Sequence, residues 1–446
     1  MEFDPRAIGV LNRLKGAGHE AFLVGGCVRD CLRNVAPHDY DVTTSALPTE
    51  TLNVFSDLPV IETGLKQGTV TVLWEGLPVE VTTYRVDGDY GDGRHPDDVC
   101  FTRCLQEDLA RRDFTVNAMA WAPDTGVVDP FCGAEDLHNG VLRCVGDPER
   151  RFTEDGLRIL RGLRFASVLG FSLERSTERA LRKLKDRLNV VSAERIREEF
   201  LRLLCGPCVF DVLSAYWEVI GVFLPEILPC VGFDQRNYHH IYNVYEHSLH
   251  VVEAVPPQPR LRLAALLHDI AKPPCFSLDE NGVGHFYGHP SRSAEIADEI
   301  LRRLRLSNED RIAVVTLIKH HDTPIEPTET AVRRKLNKLG SRSFFDLLTL
   351  MRGDNLAQAP EFRGRQKTYD VLEQIANRIL AEKQCFSLKD LAVDGRDLMA
   401  LGLQGRQIGD GLEFLLDAVL DGKCSNQKDE LLCFFKNNRG FSLDKF

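Results

Sequence analysis

Alternating apolar and polar positions pick out two short strands near the N-terminus, TVTVLW (69–74) and PVEVTTY (78–84), and AFLV (21–24) and YDVTT (40–44) look like two more. A two-residue period of this kind marks half-buried strands. Helical stretches lie between them. The Gly- and Asp-rich stretch from Val86 to Asp98 reads as a mobile turn. From about Asp147 the strand signals fade and helical periodicity takes over. Gly206-Pro207 ends one helical block, Pro256-Pro257-Gln258-Pro259 breaks another, and a last group of helices follows Gln384. The pattern predicts an α+β fold: a small N-terminal head, a mixed sheet with helices, followed by an elongated all-helical remainder.

Composition narrows the class. At 446 residues, 43% hydrophobic and 27% charged, the chain is globular, with room for two to four domains, and is neither disordered nor fibrous. No apolar run reaches the roughly 18 residues of a membrane span, and the start, with Glu2 and Asp4, lacks the basic-then-apolar form of a secretory signal. The 13 cysteines read as reduced thiols, so a cytoplasmic setting with no membrane partner is expected. A net charge of −11 argues against a nucleic-acid partner, but Asp147 to Cys205 holds 14 Lys+Arg against 10 Asp+Glu. A basic segment in an acidic chain is either an electrostatic footprint or a set of solvated helices.

Candidate chemistry begins in the head. In LVGGCVRD (23–30) a strand meets a double-glycine turn and a helix start. Gly25 and Gly26 allow close backbone approach to a ligand, and Arg29 lies in the first helical turn, where anions are favoured. Asp39 and Asp41 share one face of the next strand. Paired carboxylates behind a phosphate-type turn suit Mg²⁺, which takes carboxylate and phosphate oxygens. Glu80, on PVEVTTY, is a candidate third carboxylate. In RRDFTVNAMA (111–120), read as helix-like, Arg111 and Arg112 are placed to hold a triphosphate, and Asp113 and Asn117 to share a face.

Together these motifs resemble the nucleotidyltransferase head of the polymerase β superfamily, in the subgroup of class II tRNA CCA-adding enzymes and bacterial poly(A) polymerases. RFTEDGLRILRGLRFASVLGF (151–171) extends the likeness. Glu154-Asp155-x-x-Arg158 looks like the family's nucleotide-selecting motif, which implies that Asp155 and Arg158 select the base. Arg158, Arg161 and Arg164 recur along one side of a helix, with Leu157, Leu160, Leu163 and Phe165 on its buried side. The resemblance implies that Gly26, Arg29 and Arg112, joined by Arg161 and Arg164, contact the triphosphate. ERIREEFLRLL (194–204) is similar to a family helix that buttresses this region.

His247, His268-Asp269 and a later Asp form the pattern H…HD…D, which resembles the HD phosphohydrolase domain. The resemblance points also to His289, His321 and Asp354, with His320 and Asp322 as neighbouring alternatives. Such ligands suit a transition metal (Mn, Ni, Co or Zn) acting on a phosphoester. The segment 390–422 looks like the tail of class II enzymes from Gram-positive bacteria. The expected division is head 1–145, neck 146–206, helical linker 207–237, HD domain 238–360 and tRNA-binding tail 361–446. The implied activity is template-independent addition of CCA, from CTP and ATP, to the 3′ end of tRNA, by a monomer or homodimer. The alternatives are a poly(A) polymerase, an enzyme adding only CC or only A, and an RNA-binding HD phosphohydrolase.

Overall fold

The computed structural model describes residues 2–62, 64–87 and 99–438. The chain divides into two compact units, Met1–Leu228 and Pro229–Phe446.

The strands of the first unit are β1 (Ala21–Val24), β2 (Tyr40–Thr44), β3 (Val60–Ile61), β4 (Thr69–Trp74), β5 (Leu77–Thr83), β6 (Arg85–Asp87), β7 (Val99–Phe101), β8 (Ala120–Ala122) and β9 (Gly126–Val128). Seven of them form one mixed sheet in the order β3-β4-β5-β2-β1-β8-β9, and β6 pairs with β7. The four strands expected from the sequence are β1, β2, β4 and β5. Val86 stands in β6, and residues 88–98 of the expected mobile turn lie outside the described residues.

The sheet is covered on two faces. The helix Pro5–Gly16, capped by Asp4, buries Ala7, Val10, Leu11 and Leu14 against Leu23, Val42, Val70, Val72, Val79 and Val81. Each such fully buried aliphatic side chain contributes roughly 1.5–3 kcal/mol. Phe22, Val24, Ala120 and Ala122 point the other way, where Leu109 of the helix Leu105–Ala110 covers them. With both faces covered, β1 is buried at every position.

Four helices complete this unit's chemistry-bearing part: Pro148–Glu154, Leu157–Leu169, Arg175–Lys183 and Ala193–Leu204. Gly156 joins the first two. A Cβ there would lie 2.6 Å from the Arg187 carbonyl oxygen, so the close approach needs glycine.

The second unit is largely helical. Val244–Ala254, Pro259–Leu267, His289–Arg303, Asn308–His320 and Glu329–Leu356 surround its centre. Gly340 interrupts the last of these with φ 76° and ψ 160°. The C-terminal helices close a core of their own around Leu398, Leu415, Leu416 and Leu431.

Three expectations need correction. The chain beyond the head is not wholly helical: Ser172–Leu173 pairs with Val141–Leu142, and Ser277–Leu278 with Gly284–His285. Ladders of two residues are too short to leave a period. RRDFTVNAMA is not a helix either: helix Leu105–Ala110 stops before it, and a single 3₁₀ turn, Thr115–Asn117, leads into β8. Phe114, Val116, Ala118 and Met119 are all buried, so this apolar run fills the core as a turn. Lastly, scattered cysteines are expected to include no Cys-x-x-Cys pair of zinc spacing, yet Cys205-Gly206-Pro207-Cys208 is such a pair, in the turn after helix Ala193–Leu204, with both side chains half-buried.

Candidate functional site

Tyr40 and Val42 belong to the core beneath helix Pro5–Gly16. Strand alternation therefore turns Asp41 and Thr43 to the opposite face. Parallel pairing of β2 with β5 sets Glu80 directly beside Asp41. Asp39 stands one residue before β2, exposed to solvent. Burial pushes the Asp41 carboxyl up to about 6, against the pull of Arg112 and with a further push from Glu80 and Asp39. Carboxylates set side by side repel, and a hard divalent cation with oxygen preference offsets that repulsion. The residues present fit such an ion.

Gly25 adopts φ 78° and ψ −130°, a conformation that disfavours any side chain. A Cβ there would sit 3.0 Å from Arg112 Nη1 and 3.8 Å from Asp41 Oδ2. The turn thus brings backbone, guanidinium and carboxylate together. The Gly25 amide is engaged internally, donating to the Met119 carbonyl at 3.2 Å, while Gly26 opens the helix Gly26–Leu32. Arg29 is buried and donates from Nη1 to Asn117 Oδ1 at 2.6 Å and from Nε to Asp30 at 2.9 Å.

Arg111 and Arg112 converge on Asp108, which motif reading passes over. Its carboxylate is fully buried, 2.8 Å from Arg111 Nη2, 3.5 Å from Arg112 Nη2 and 3.0 Å from the Thr43 hydroxyl that donates to it. Asp108 thereby ties the strand carrying Asp41 to both arginines. The available signal is its spacing, three and four residues before two arginines on a helical stretch.

Asp113 and Asn117 do meet, but through the turn: Asn117 Nδ2 donates to Asp113 Oδ1 at 3.1 Å. Asp113 also holds Arg161, at 2.6 Å. Burial opposes ionisation of Asp113, but the Arg161 guanidinium and the Asn117 amide outweigh it and hold the carboxyl well below its usual range. Arg164 pairs with Glu199 at 2.6 Å, and burial pushes its guanidinium down to about 10 despite that partner.

A stability prediction follows from Asp113. Asp113→Ala leaves Arg161 with the more distant Glu199, at 3.6 Å, and should cost roughly 2–3 kcal/mol, less than a fully broken buried pair. Arg161, with its side chain 34% exposed, retains some water. The folded-state value lies below the unfolded one, near 4. The stabilisation is therefore full above about pH 5 and drains away as pH falls below 4. Thermal melts of parent and variant at pH 3 to 7 check this: the gap between them should close on the acid side.

In the neck, the helix Leu157–Leu169 buries Leu157, Leu160, Leu163 and Phe165 as its pattern predicts. Arg158 is buried too, its side chain 10% exposed against 13% for Arg164 and 34% for Arg161, so the arginine side of this helix is sheltered. Its Nη1 pairs with Glu154 at 2.7 Å, and its Nη2 donates to the Arg111 carbonyl at 3.0 Å. Asp155 does not pair with Arg158, as their spacing suggests, but with Arg195 at 2.7 Å. The two sides of the Glu154-Asp155-x-x-Arg158 motif are thus held by separate partners.

The second unit holds the other cluster. His247, His268 and Asp354 bring ligand atoms within 4.8 Å of one another, as do His268, Asp269 and His321. His268, His289 and His321 each place Nδ1 2.7–2.8 Å from a backbone carbonyl, of Ala265, Phe286 and Ile318. A carbonyl only accepts, so in the neutral ring Nδ1 carries the proton and Nε2 presents its lone pair. Those Nε2 atoms lie 3.2, 3.2 and 3.6 Å from Asp269. Asp354 joins through His247 Nε2 at 3.0 Å. The buried His268 Nε2 and both Asp269 oxygens make no well-formed hydrogen bond, although Lys272 Nζ stands 2.7 Å from one of those oxygens. Inward-facing imidazole lone pairs gathered around a buried carboxylate fit a metal of imidazole preference. His321 and Asp354, rather than His320 and Asp322, join these triads. A cleft of about 360 Å³ opens onto the cluster, lined by Lys272, His240, Tyr287 and Arg365 among others.

Comparisons with known proteins give matches along nearly the whole chain. Residues 21–143 match the family described as Poly A polymerase head domain, 170–227 the probable RNA and SrmB-binding site of polymerase A, and 237–376 the HD domain. The CCA-adding enzyme of Lactobacillus helveticus is 50% identical over 437 residues, covering 96% of this chain and 95% of that protein. That of Limosilactobacillus fermentum is 33% identical over 434 residues, covering 97% and 96%. Among solved structures, the CCA-adding enzyme of Bacillus stearothermophilus in complex with CTP superposes with a TM-score of 0.74 at 28% identity, covering 98% of this chain and 97% of that one. With a fold and a sequence matched along nearly the whole length, the chain belongs to the CCA-adding enzymes, the tRNA nucleotidyltransferases.

Proposed function

We propose that this enzyme adds CCA to the 3′ end of tRNA from CTP and ATP, without a nucleic-acid template. The observation that carries the reading is the β2–β5 register, which sets Glu80 beside Asp41, whose carboxylate lies close to Gly25 and Arg112. Asp39 and Asp41, with Glu80 adjoining, would hold Mg²⁺. Bound there, the ion would activate the primer hydroxyl and neutralise charge on the phosphates. Gly25, Gly26, Arg29, Arg111, Arg112 and Asn117 form the cradle that receives the triphosphate, with Asp113 holding Arg161, and Arg164 close behind. Asp155 and Arg158 read the base. A carboxylate accepts from the exocyclic amine of cytosine or adenine, and a guanidinium donates to the adjoining ring nitrogen. Uracil reverses both partners. The tRNA lies along the neck and tail of a cytoplasmic monomer or homodimer, recognised by shape and phosphates rather than sequence. With CTP as the sole nucleotide, a tRNA ending before CCA should gain two C residues and stop; a ladder of further additions would count against the reading.

The HD cluster is proposed as a separate centre that hydrolyses phosphoesters with a transition metal held by His247, His268, Asp269, His289, His321 and Asp354. The double variant His268→Ala with Asp269→Ala should lose bound metal and any phosphatase or cyclic-phosphodiesterase activity, yet keep nucleotide addition. Elemental analysis of the parent finding no transition metal would mark the cluster as a remnant. Loss of addition in a folded double variant would show that the two centres are coupled.

A further inference from the structure

Asp155 closes the helix Pro148–Glu154 in extended backbone, φ −141° and ψ 107°. Nothing in that helix fixes its side chain, so its direction is set from outside. The Leu157 amide donates to Oδ1 at 3.0 Å. Arg195 reaches across from the helix Ala193–Leu204, with Nη2 donating to Oδ2 at 2.7 Å and Nη1 to Oδ1 at 3.3 Å. A guanidinium gripping both oxygens fixes the plane of a carboxylate as well as its position. The grip itself rests on a firm base, because Ile196, Phe200, Leu203 and Leu204 bury the helix that carries it.

Base reading depends on direction. A hydrogen bond weakens steeply once its angle falls toward 120°, so a carboxylate free to swing would accept from the cytosine amine poorly and reject uracil poorly. The side chains of Asp155 and Arg195 are 13% and 23% exposed, so the pair is sheltered but keeps an open edge.

We propose that Arg195 is a positioning residue for nucleotide selection, holding the Asp155 carboxylate in the one orientation in which it can read a base. This rests on the base-reading role proposed for Asp155. It gives the helix Ala193–Leu204 a part in specificity beyond buttressing. An arginine that merely tied two helices together would, when removed, lower addition of every nucleotide alike. A positioning arginine instead changes the ratio between nucleotides.

The test measures kcat and KM for CTP, ATP, UTP and GTP in Arg195→Ala, Arg195→Lys, Asp155→Ala and the double variant Arg195→Ala with Asp155→Ala, on one tRNA primer. Arg195→Ala should lower the CTP:UTP ratio of kcat/KM about tenfold or more, since one misaligned hydrogen bond to a charged group is worth roughly 1.5–3 kcal/mol. Arg195→Lys, which keeps the charge but loses the fork, should recover part of the ratio. In the Asp155→Ala background, Arg195→Ala should cost no further selectivity. Should Arg195→Ala fail to fold, judged by its melting curve, Arg195→Gln carries the same test. A folded variant with the parental ratio, beside an Asp155→Ala variant that has lost it, overturns the role of Arg195. An Asp155→Ala variant that keeps the parental ratio overturns the base-reading assignment instead.

Discussion

Replacing Asp41 by alanine is expected to slow nucleotide addition by about a thousandfold or more, roughly 4 kcal/mol of transition-state stabilisation. Affinity for tRNA should change little. Asp41 is the most enclosed of the three proposed metal-binding carboxylates, beside Glu80 and within the pull of Arg112. Removing it takes away a proposed metal ligand rather than an RNA contact. It also leaves Arg112 facing Asp108 alone, so Asp41→Asn, which keeps the volume, is the companion variant. Asp39→Ala should likewise abolish addition, although its side chain is exposed and its loss costs the fold little. Single-turnover addition across a range of Mg²⁺ concentrations, with tRNA binding measured separately, checks the expectation. Near-normal addition in either alanine variant would remove the metal assignment.

The second large effect concerns selection. Uracil leaves two polar groups mismatched in a closed site, and each mismatch costs roughly 1–3 kcal/mol, which multiplies to a factor of hundreds or more against UTP. Asp155→Ala and Arg158→Ala should each surrender about one such mismatch, a tenfold or greater fall in discrimination against UTP and GTP. The two variants differ in side effects. Asp155→Ala releases Arg195 toward solvent. Arg158→Ala leaves Glu154 with Arg150 and Arg151 still at hand, but the Arg111 carbonyl loses a donor. A modest slowing with CTP is therefore expected for Arg158→Ala as well. If competition assays find both variants as selective as the parent, the protein does not read the base through this pair.

What the sequence shows and what it hides divide along one physical line. Local pattern is legible: β4 and β5 fall where alternation puts them, and β1, buried on both faces, shows as a short unbroken apolar run. The histidines of the second unit are legible because their residue types are rare and their order is distinctive. RRDFTVNAMA misleads because its apolar residues satisfy a turn packed into the core as well as they would a helix. The burial of Arg158 is not legible in its three-residue spacing from Arg161, because Glu154 and the Arg111 carbonyl, which draw it inside, are set by the fold. Asp108 and Arg195 are hidden for a different reason. Their importance lies in partners brought together by folding: Thr43 lies 65 residues before Asp108, and Asp155 lies 40 before Arg195. No spacing rule reaches that far.

The central claim is that the protein itself dictates three nucleotides and then stops. The direct measurement is to incubate the enzyme with a tRNA ending before CCA, supply all four nucleotides together with Mg²⁺, and sequence the 3′ ends. The account predicts tRNA ending uniformly in CCA, with no U or G incorporated and no extension beyond the final A. Tails of repeated A, or 3′ ends left unextended in the presence of Mg²⁺, would contradict it.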